Sequence, residues 1–196
     1  SRGLGDVYKR QTQDRVIIVS NFTSTLNLLQ RYCVRQKFPF LRLDGRTKAD
    51  VRSKMVNEFN SDSGSDHLGK QPFVFLLSSK SGGVGLNLIG ANRLILFDSD
   101  WNPATDRQAM ARIHRDGQLK PCFIYRLLLV GSMDEKIYQR QITKIGLSDS
   151  LMSNEAAKDH DVASSSDTFS QEELRDVFGY HPNTTCLTHD LLGCAC

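Results

Sequence analysis

Short apolar runs alternate along the chain with stretches in which apolar residues recur every third or fourth position. Val16–Val19 is a β-branched run and predicts a strand, whereas Thr23–Gln36 carries Leu26, Leu29 and Cys33 at helical spacing. Phe38–Leu43 predicts a second strand, closed by the turn pair Asp44-Gly45. Val51, Met55 and Phe59 then recur four apart, and Thr47 with Asp50 has the pattern of a helix cap. A polar Gly/Ser/Asp segment covers Ser61–Gln71. Phe73–Leu77 and Leu94–Phe97 predict two further strands, separated by Gly82, Gly83 and Gly85. Asn102-Pro103 opens a helix expected to reach about Arg115. Cys122–Leu129 predicts a strand, and Ser132/Glu135 the start of a helix with Met133, Ile137 and Ile145 on one side. Phe169–Phe178 reads as a short helix after the apolar-poor, Ser/Asp/Asn-rich stretch Ser148–Thr168.

Continuous apolar strands separated by helices predict an α/β fold: a mainly parallel sheet with helices on both faces, plus a small C-terminal extension. Such sheets bind ligands at the carboxyl ends of their strands, which directs attention to the loops after Val19, Leu43, Leu77 and Phe97. The expected organisation is a leader or fragment end over 1–13, the α/β domain over 14–148, a linker over 149–168 and the extension over 169–196.

Charge sharpens this picture. Residues 1–148 carry 23 basic and 13 acidic side chains, a net +10, while 149–196 carry 2 basic and 9 acidic, a net −7. A basic body suits a polyanionic partner, nucleic acid first, although a solvated surface of mixed charge has the same composition. No apolar run approaches the roughly 18 residues of a membrane-spanning helix, so no membrane partner is expected. Cysteines at 33, 122, 186, 194 and 196 do not read as a secreted disulfide framework.

Gly64–Lys70 has phosphate-loop spacing, but Gln71 stands where a Mg²⁺-binding hydroxyl is needed and the segment precedes a strand instead of following one. Leu77–Gln118 carries more. Ser78-Ser79-Lys80-Ser81-Gly82-Gly83 offers hydroxyls, an ammonium and bare backbone N–H groups to phosphate oxygens, or is a plain glycine turn. Arg112 and Arg115 lie three apart, with Gln108 one turn earlier. On a helix they would share a face and could neutralise charge on a transferring phosphoryl group, or be ordinary surface arginines. Trp101 follows Asp98-Ser99-Asp100, which suits an Asx turn better than a metal site.

Taken together and in order, these segments resemble the second RecA-like lobe of superfamily-two helicase motors of the Swi/Snf type. Val16–Phe22 resembles motif four, Leu43-Asp44-Gly45-Arg46-Thr47 the turn after it, and Leu77–Asn87 motif five. Asp98–Pro103 resembles the tryptophan-bearing motif, and Gln108–Gln118 motif six, Q-x3-R-x2-R-x-GQ. Arg115–Gln118, Ile137–Gln141 and the tail Thr188–Cys196 are similar to the homologous-recombination DNA translocase branch, the tail to its B-type paralogue. His114 stands where that branch usually carries Trp.

The resemblance implies an ATP-dependent translocase on double-stranded DNA, nuclear, acting in recombination and repair beside a strand-exchange recombinase. ATP and Mg²⁺ would be held mainly by an N-terminal RecA-like lobe. Arg112 and Arg115 would be its trans-acting fingers, with Gln108 at the nucleotide or its water, and Gly85, Leu86 and Asn87 would line the ATP side. Asn21, Arg46, Thr47, Ser79, Lys80 and Trp101 would grip the DNA backbone. Cys186, His189, Cys194 and Cys196 form C-x2-H-x4-C-x-C, a candidate Zn²⁺ set, against incidental thiols. Other readings of the same residues are a nucleosome-remodelling ATPase lobe and a non-catalytic nucleic-acid-binding α/β domain.

Overall fold

The computed structural model of the chain describes residues 14–61, 71–81, 85–153 and 171–192. Five strands form one sheet, all parallel: β1 (Val16–Ser20), β2 (Phe40–Leu43), β3 (Val74–Ser78), β4 (Arg93–Leu96) and β5 (Phe123–Arg126), in the order β2-β3-β1-β4-β5. The helices are α1 (Thr23–Arg35), α2 (Ala49–Asn60), α3 (Pro103–Met110), α4 (Met133–Ser153), α5 (Gln171–Val177) and α6 (Leu187–Leu192). Because every strand runs the same way, all five carboxyl ends emerge on one edge.

Alternation along the strands splits the core in two. Ile17, Val19, Leu43, Phe75, Leu77, Leu94 and Leu96 pack with Phe59 of α2 and with Ala109 and Ile113. Val74 and Leu76 face the other way and pack with Leu26 and Cys33 of α1. The sheet is therefore buried on both faces, as its continuous apolar strands require. Phe59 and Phe75, both fully buried, meet edge to face with ring centroids 5.0 Å apart.

The chain divides into two compact units. Residues 1–98 and 104–127 form the sheet unit; residues 99–103 and 128–196 form a second. This grouping differs from the expected 14–148 and 169–196, and α4 runs on to Ser153, past the expected start of the linker. The rest of the linker, the leader and Gly64–Lys70 lie outside the described residues. In the second unit, Glu135 replaces the expected capping box with a longer reach. Its carboxylate accepts from the N–H of Gly131 at 2.6 Å, Leu187 at 3.3 Å and Thr188 at 3.2 Å, and from the Cys186 thiol at 3.5 Å. One acid thereby ties the start of α4 to the start of α6. The His181 N–H donates to the carbonyl oxygen of Gly131 (φ 66°) at 2.9 Å, and a Cβ at Gly131 would lie 2.1 Å from the His181 oxygen.

Two helix boundaries also depart from expectation. Thr47 does not cap α2; its Oγ1 accepts from the Asp44 N–H at 3.2 Å and closes a turn, and α2 starts at Ala49 after Lys48. Helix α3 stops at Met110 instead of continuing to Arg115. The Arg112 carbonyl, which a longer helix would use, is taken by the Leu88 N–H at 3.0 Å, while Arg112 and Ile113 close shorter turns onto Ala109 and Met110.

Phe59→Ala should cost about 3–5 kcal/mol of stability, read by urea unfolding, because it empties a fully buried ring site. Burial pushes the Glu135 carboxyl up, but the N–H groups of Gly131, Thr188 and Leu187 and the Cys186 thiol outweigh it and hold it below the ordinary carboxylate value. A carboxyl lowered in the folded state contributes stability above its unfolded pKa and loses it as pH falls through the folded value. Unfolding of the second unit, followed by hydrogen exchange at Thr188, should therefore become easier on acidification, and Glu135→Gln should flatten that dependence.

Candidate functional site

Four strand ends meet at the carboxyl edge of the sheet unit. After β1, the Asn21 side chain accepts from the Ser79 hydroxyl, which follows β3. After β4, Asp98 accepts from the Asn21 backbone N–H at 2.6 Å and from the Ser20 hydroxyl, and the Asn21 amide donates to the Asp98 carbonyl at 3.4 Å. After β2, the Asp44–Thr47 turn presents Arg46, whose backbone N–H donates to Asp44 Oδ1 at 3.0 Å. Ser79–Ser81 forms a single 3₁₀ turn, with the buried Ser81 hydroxyl bonded to the carbonyls of Leu43 and Ser78 at 3.2 and 2.9 Å. Lys80 and Arg46 are exposed; Asn21, Thr47 and Ser79 are half-buried. The edge thus joins two exposed cations to a set of fixed hydroxyl and amide groups, the mixture that phosphate–sugar backbones take.

The two arginines arrive at the same loop from the other side. Arg112 is 7% exposed, and its Nη2 donates to the Ser79 carbonyl at 3.5 Å. Its Nη1 is buried without a hydrogen-bond partner among the described residues. Burial, and then the neighbouring Arg115 charge, push its pKa below the usual arginine value. Even so a guanidinium stays protonated near neutral pH, so this is a desolvated cation. Arg115 is exposed; its Nη1 donates to the Gly85 carbonyl at 3.4 Å and its Nε to Ala111 at 3.1 Å. Helical spacing is therefore not what joins these residues. A turn beyond α3 brings both onto the 79–85 loop. Gln108 is exposed on α3, and no hydrogen bond of its own is found among the described residues to carry it to that loop.

Gln118 holds the turn. Its amide donates to the carbonyls of Ala91 at 2.7 Å and of Ile89 and Ile113 at 3.2 Å each, and its oxygen accepts from the Lys120 N–H at 3.0 Å. Gly117 sits before it at φ 97°, a conformation that favours glycine. Across the loop, Asn60 clamps Asn87 and Gly90 by bonds of 2.8 and 2.9 Å. Between α2 and the loop lies a cleft of about 410 Å³, lined by Arg52, Ser53, Asn57, Gly85, Leu86 and Asn87. The Asn87 side-chain oxygen is buried without a partner, while Leu86 packs on the core. Sequence reading missed Arg52, Ser53 and Asn57. Their signal was the 49, 52, 53, 56, 57 stripe of one helix face, polar where it leaves the core.

Trp101 lies in the second unit and is 44% exposed. Of the candidate zinc set, Cys194 and Cys196 lie outside the described residues. The Cys186 thiol is turned to Glu135 and accepts the His189 backbone N–H at 3.4 Å. Among the described residues no three His, Cys, Asp or Glu side chains group as metal ligands. Gly82 and Gly83 also lie outside the description. No described helix is long and apolar enough to cross a membrane.

Residues 2–117 match the family described as helicase conserved C-terminal domain. The chain is 48% identical over 196 residues to the DNA repair and recombination protein RAD54B of Homo sapiens, covering all of this chain and 20% of that protein. It is 47% identical over 188 residues to the DNA repair and recombination protein RDH54 of Saccharomyces cerevisiae strain YJM789, covering 96% of this chain and 19% of that one. The chain thus spans about a fifth of the length of the curated relatives it matches. Among solved structures, the C-terminal part of the Fun30 ATPase domain superposes with a TM-score of 0.61 at 38% identity, over 70% of this chain and 43% of that one.

Gln118→Ala should strip the 113–118 turn of its staple. About 1–3 kcal/mol of lost stability is expected, with faster hydrogen exchange at the Gln118 and Leu88 amides than at the Val19 or Leu76 amides of the sheet.

Proposed function

The chain belongs to the helicase conserved C-terminal domain family, and on that premise we propose that it is the second motor lobe of a Swi/Snf-type, ATP-driven translocase on double-stranded DNA. Its process is recombinational repair, in keeping with the printed names of its DNA repair and recombination relatives, and this reading places it in the nucleus beside a strand-exchange recombinase. The carrying observation is the convergence of Arg112 and Arg115 on the 79–85 loop with one guanidinium nitrogen buried and without a partner. A desolvated guanidinium with a second one beside it suits a highly charged anion, such as the γ-phosphate of ATP.

An N-terminal RecA-like lobe of the same enzyme holds ATP and Mg²⁺ in this reading. Mg²⁺ held there would supply charge neutralisation on the phosphates. This chain's residues then divide the remaining work. Arg112 and Arg115 face the transferring phosphoryl group from outside, where charge builds in the transition state. Gln108, exposed one turn before Arg112, orients the attacking water or touches the nucleotide. Gly85, Leu86 and Asn87 shape the wall of the ATP side. Asn21, Arg46, Thr47, Ser79, Lys80 and Trp101 take the DNA backbone without reading bases, so affinity falls steeply with salt and tolerates sequence changes. The Ser79 carbonyl is the point where the two sets of residues touch.

The chain alone should hydrolyse ATP negligibly. In the complete enzyme, Arg115→Ala should cut DNA-stimulated hydrolysis by about 10³-fold or more, as loss of an arginine finger does, with duplex affinity within about twofold of wild type at fixed salt. Turnover left intact by that substitution, measured by phosphate release, would contradict the assignment.

A further inference from the structure

One carboxylate sits inside the surface that this reading assigns to a polyanion. Asp98 lies two residues past the end of β4, beside the end of β1, where a bare negative charge would repel phosphate. Both its oxygens are consumed internally. Oδ1 accepts the Asn21 backbone N–H at 2.6 Å, and Oδ2 accepts the Ser20 hydroxyl, which itself accepts the Phe22 N–H at 3.1 Å. The Asp98 backbone carbonyl takes the Asn21 side-chain N–H at 3.4 Å. That last bond decides which way the Asn21 amide faces: its nitrogen toward Asp98, its oxygen toward the Ser79 hydroxyl. The Asp98 carboxylate thereby sets the backbone of one proposed DNA contact, Asn21, from which the side chain that meets the hydroxyl of another, Ser79, projects.

We propose that Asp98 is a positioning residue for DNA-backbone binding, fixing Asn21 and Ser79 in register across three strand ends without touching DNA. The proposal rests on the reading of this edge as the DNA surface. A carboxylate near a polyanion surface is costly unless its geometry is needed. Two alternative roles predict different outcomes. If Asp98 acted only through charge, removing it would strengthen binding. If it served only folding, its removal would lower stability without a selective link to Asn21.

The test uses the 196-residue chain and a fluorescent duplex of mixed sequence, with anisotropy at fixed low salt. Asp98→Ala should weaken binding by about tenfold. Asp98→Asn should stay within about threefold of wild type, since its amide oxygen can accept from Asn21 N–H while its nitrogen donates to the Ser20 hydroxyl. In the Asn21→Ala background, Asp98→Ala should add almost nothing, whereas with Lys80→Ala the losses should multiply. Tighter binding by Asp98→Ala, or a loss that multiplies fully with that of Asn21→Ala, overturns the proposal. Should Asp98→Ala lose its circular-dichroism unfolding transition, Asp98→Glu replaces it. That variant keeps the charge and displaces the oxygens by one methylene, with the same tenfold loss expected; wild-type affinity there overturns the proposal. If the unaltered chain fails to bind duplex DNA, or Lys80→Ala leaves binding untouched, the DNA reading of this edge falls and the proposal falls with it. Binding that Lys80→Ala weakens and Asp98→Ala does not removes the proposal alone.

Discussion

A desolvated cation for which the described residues supply no carboxylate is the constraint around which the sheet unit's carboxyl edge is arranged. Arg112 is 7% exposed, its only described side-chain hydrogen bond is a long one to a carbonyl, and its nearest like charge is Arg115. No ion pair to either arginine is found among the described residues. Burying such a charge costs several kcal/mol unless something compensates. The sheet unit can carry that cost because its core is closed on both faces and its strand ends are cross-tied. Elsewhere in the same unit Asp14 pairs with Arg93 at 2.9 Å and Asp106 with Arg126 at 2.7 Å, and the equally buried Arg15 donates to the carbonyls of Phe59 and, at 3.2 Å, Ser61. The exception at Arg112 is local, and it coincides with the edge where a parallel sheet offers its ligand site.

The supporting parts form a continuous set of bonds around that exception. Asn60 fixes the loop from the α2 side, and Gln118 fixes the arginine turn from below. The Leu88 N–H joins the two by taking the Arg112 carbonyl. Each of these is a side chain or amide satisfying backbone groups that would otherwise be left bare by irregular structure. These bonds let the two arginines be placed by backbone geometry and not by helical spacing.

Much of the fold was legible because both of its periods are strong. Ile17 and Val19 against Ile18, and Phe75 and Leu77 against Leu76, are runs apolar on both faces, and such strands belong to covered parallel sheets. All five predicted strands are present within two or three residues of their expected ends. Helix ends were harder to read. Nothing local to Arg112 reveals that Leu88, far along the chain, will take its carbonyl, so a helix to Arg115 was the natural expectation. Thr47 has the chemistry of a cap, but Asp44 is nearer in the folded turn. The reach of Glu135 to Cys186, Leu187 and Thr188 spans about fifty residues, beyond any pattern of four. Among candidate site residues, sequence reading named those in the Gly- and Ser-rich loops and both arginines, but not Arg52, Ser53 and Asn57, which a distant loop brings to line one cleft with Gly85–Asn87.

The difference between the two arginines carries its own consequence. Arg112 is held by packing, so little side-chain freedom remains for a ligand to remove. Arg115 is exposed and loses more freedom when fixed. A donor already in place costs no reorganisation when charge develops, while a mobile one can leave and return with each cycle. Arg112 donates to the Ser79 carbonyl and Arg115 to the Gly85 carbonyl, so the pre-organised and the mobile guanidinium act at different points of one chain segment.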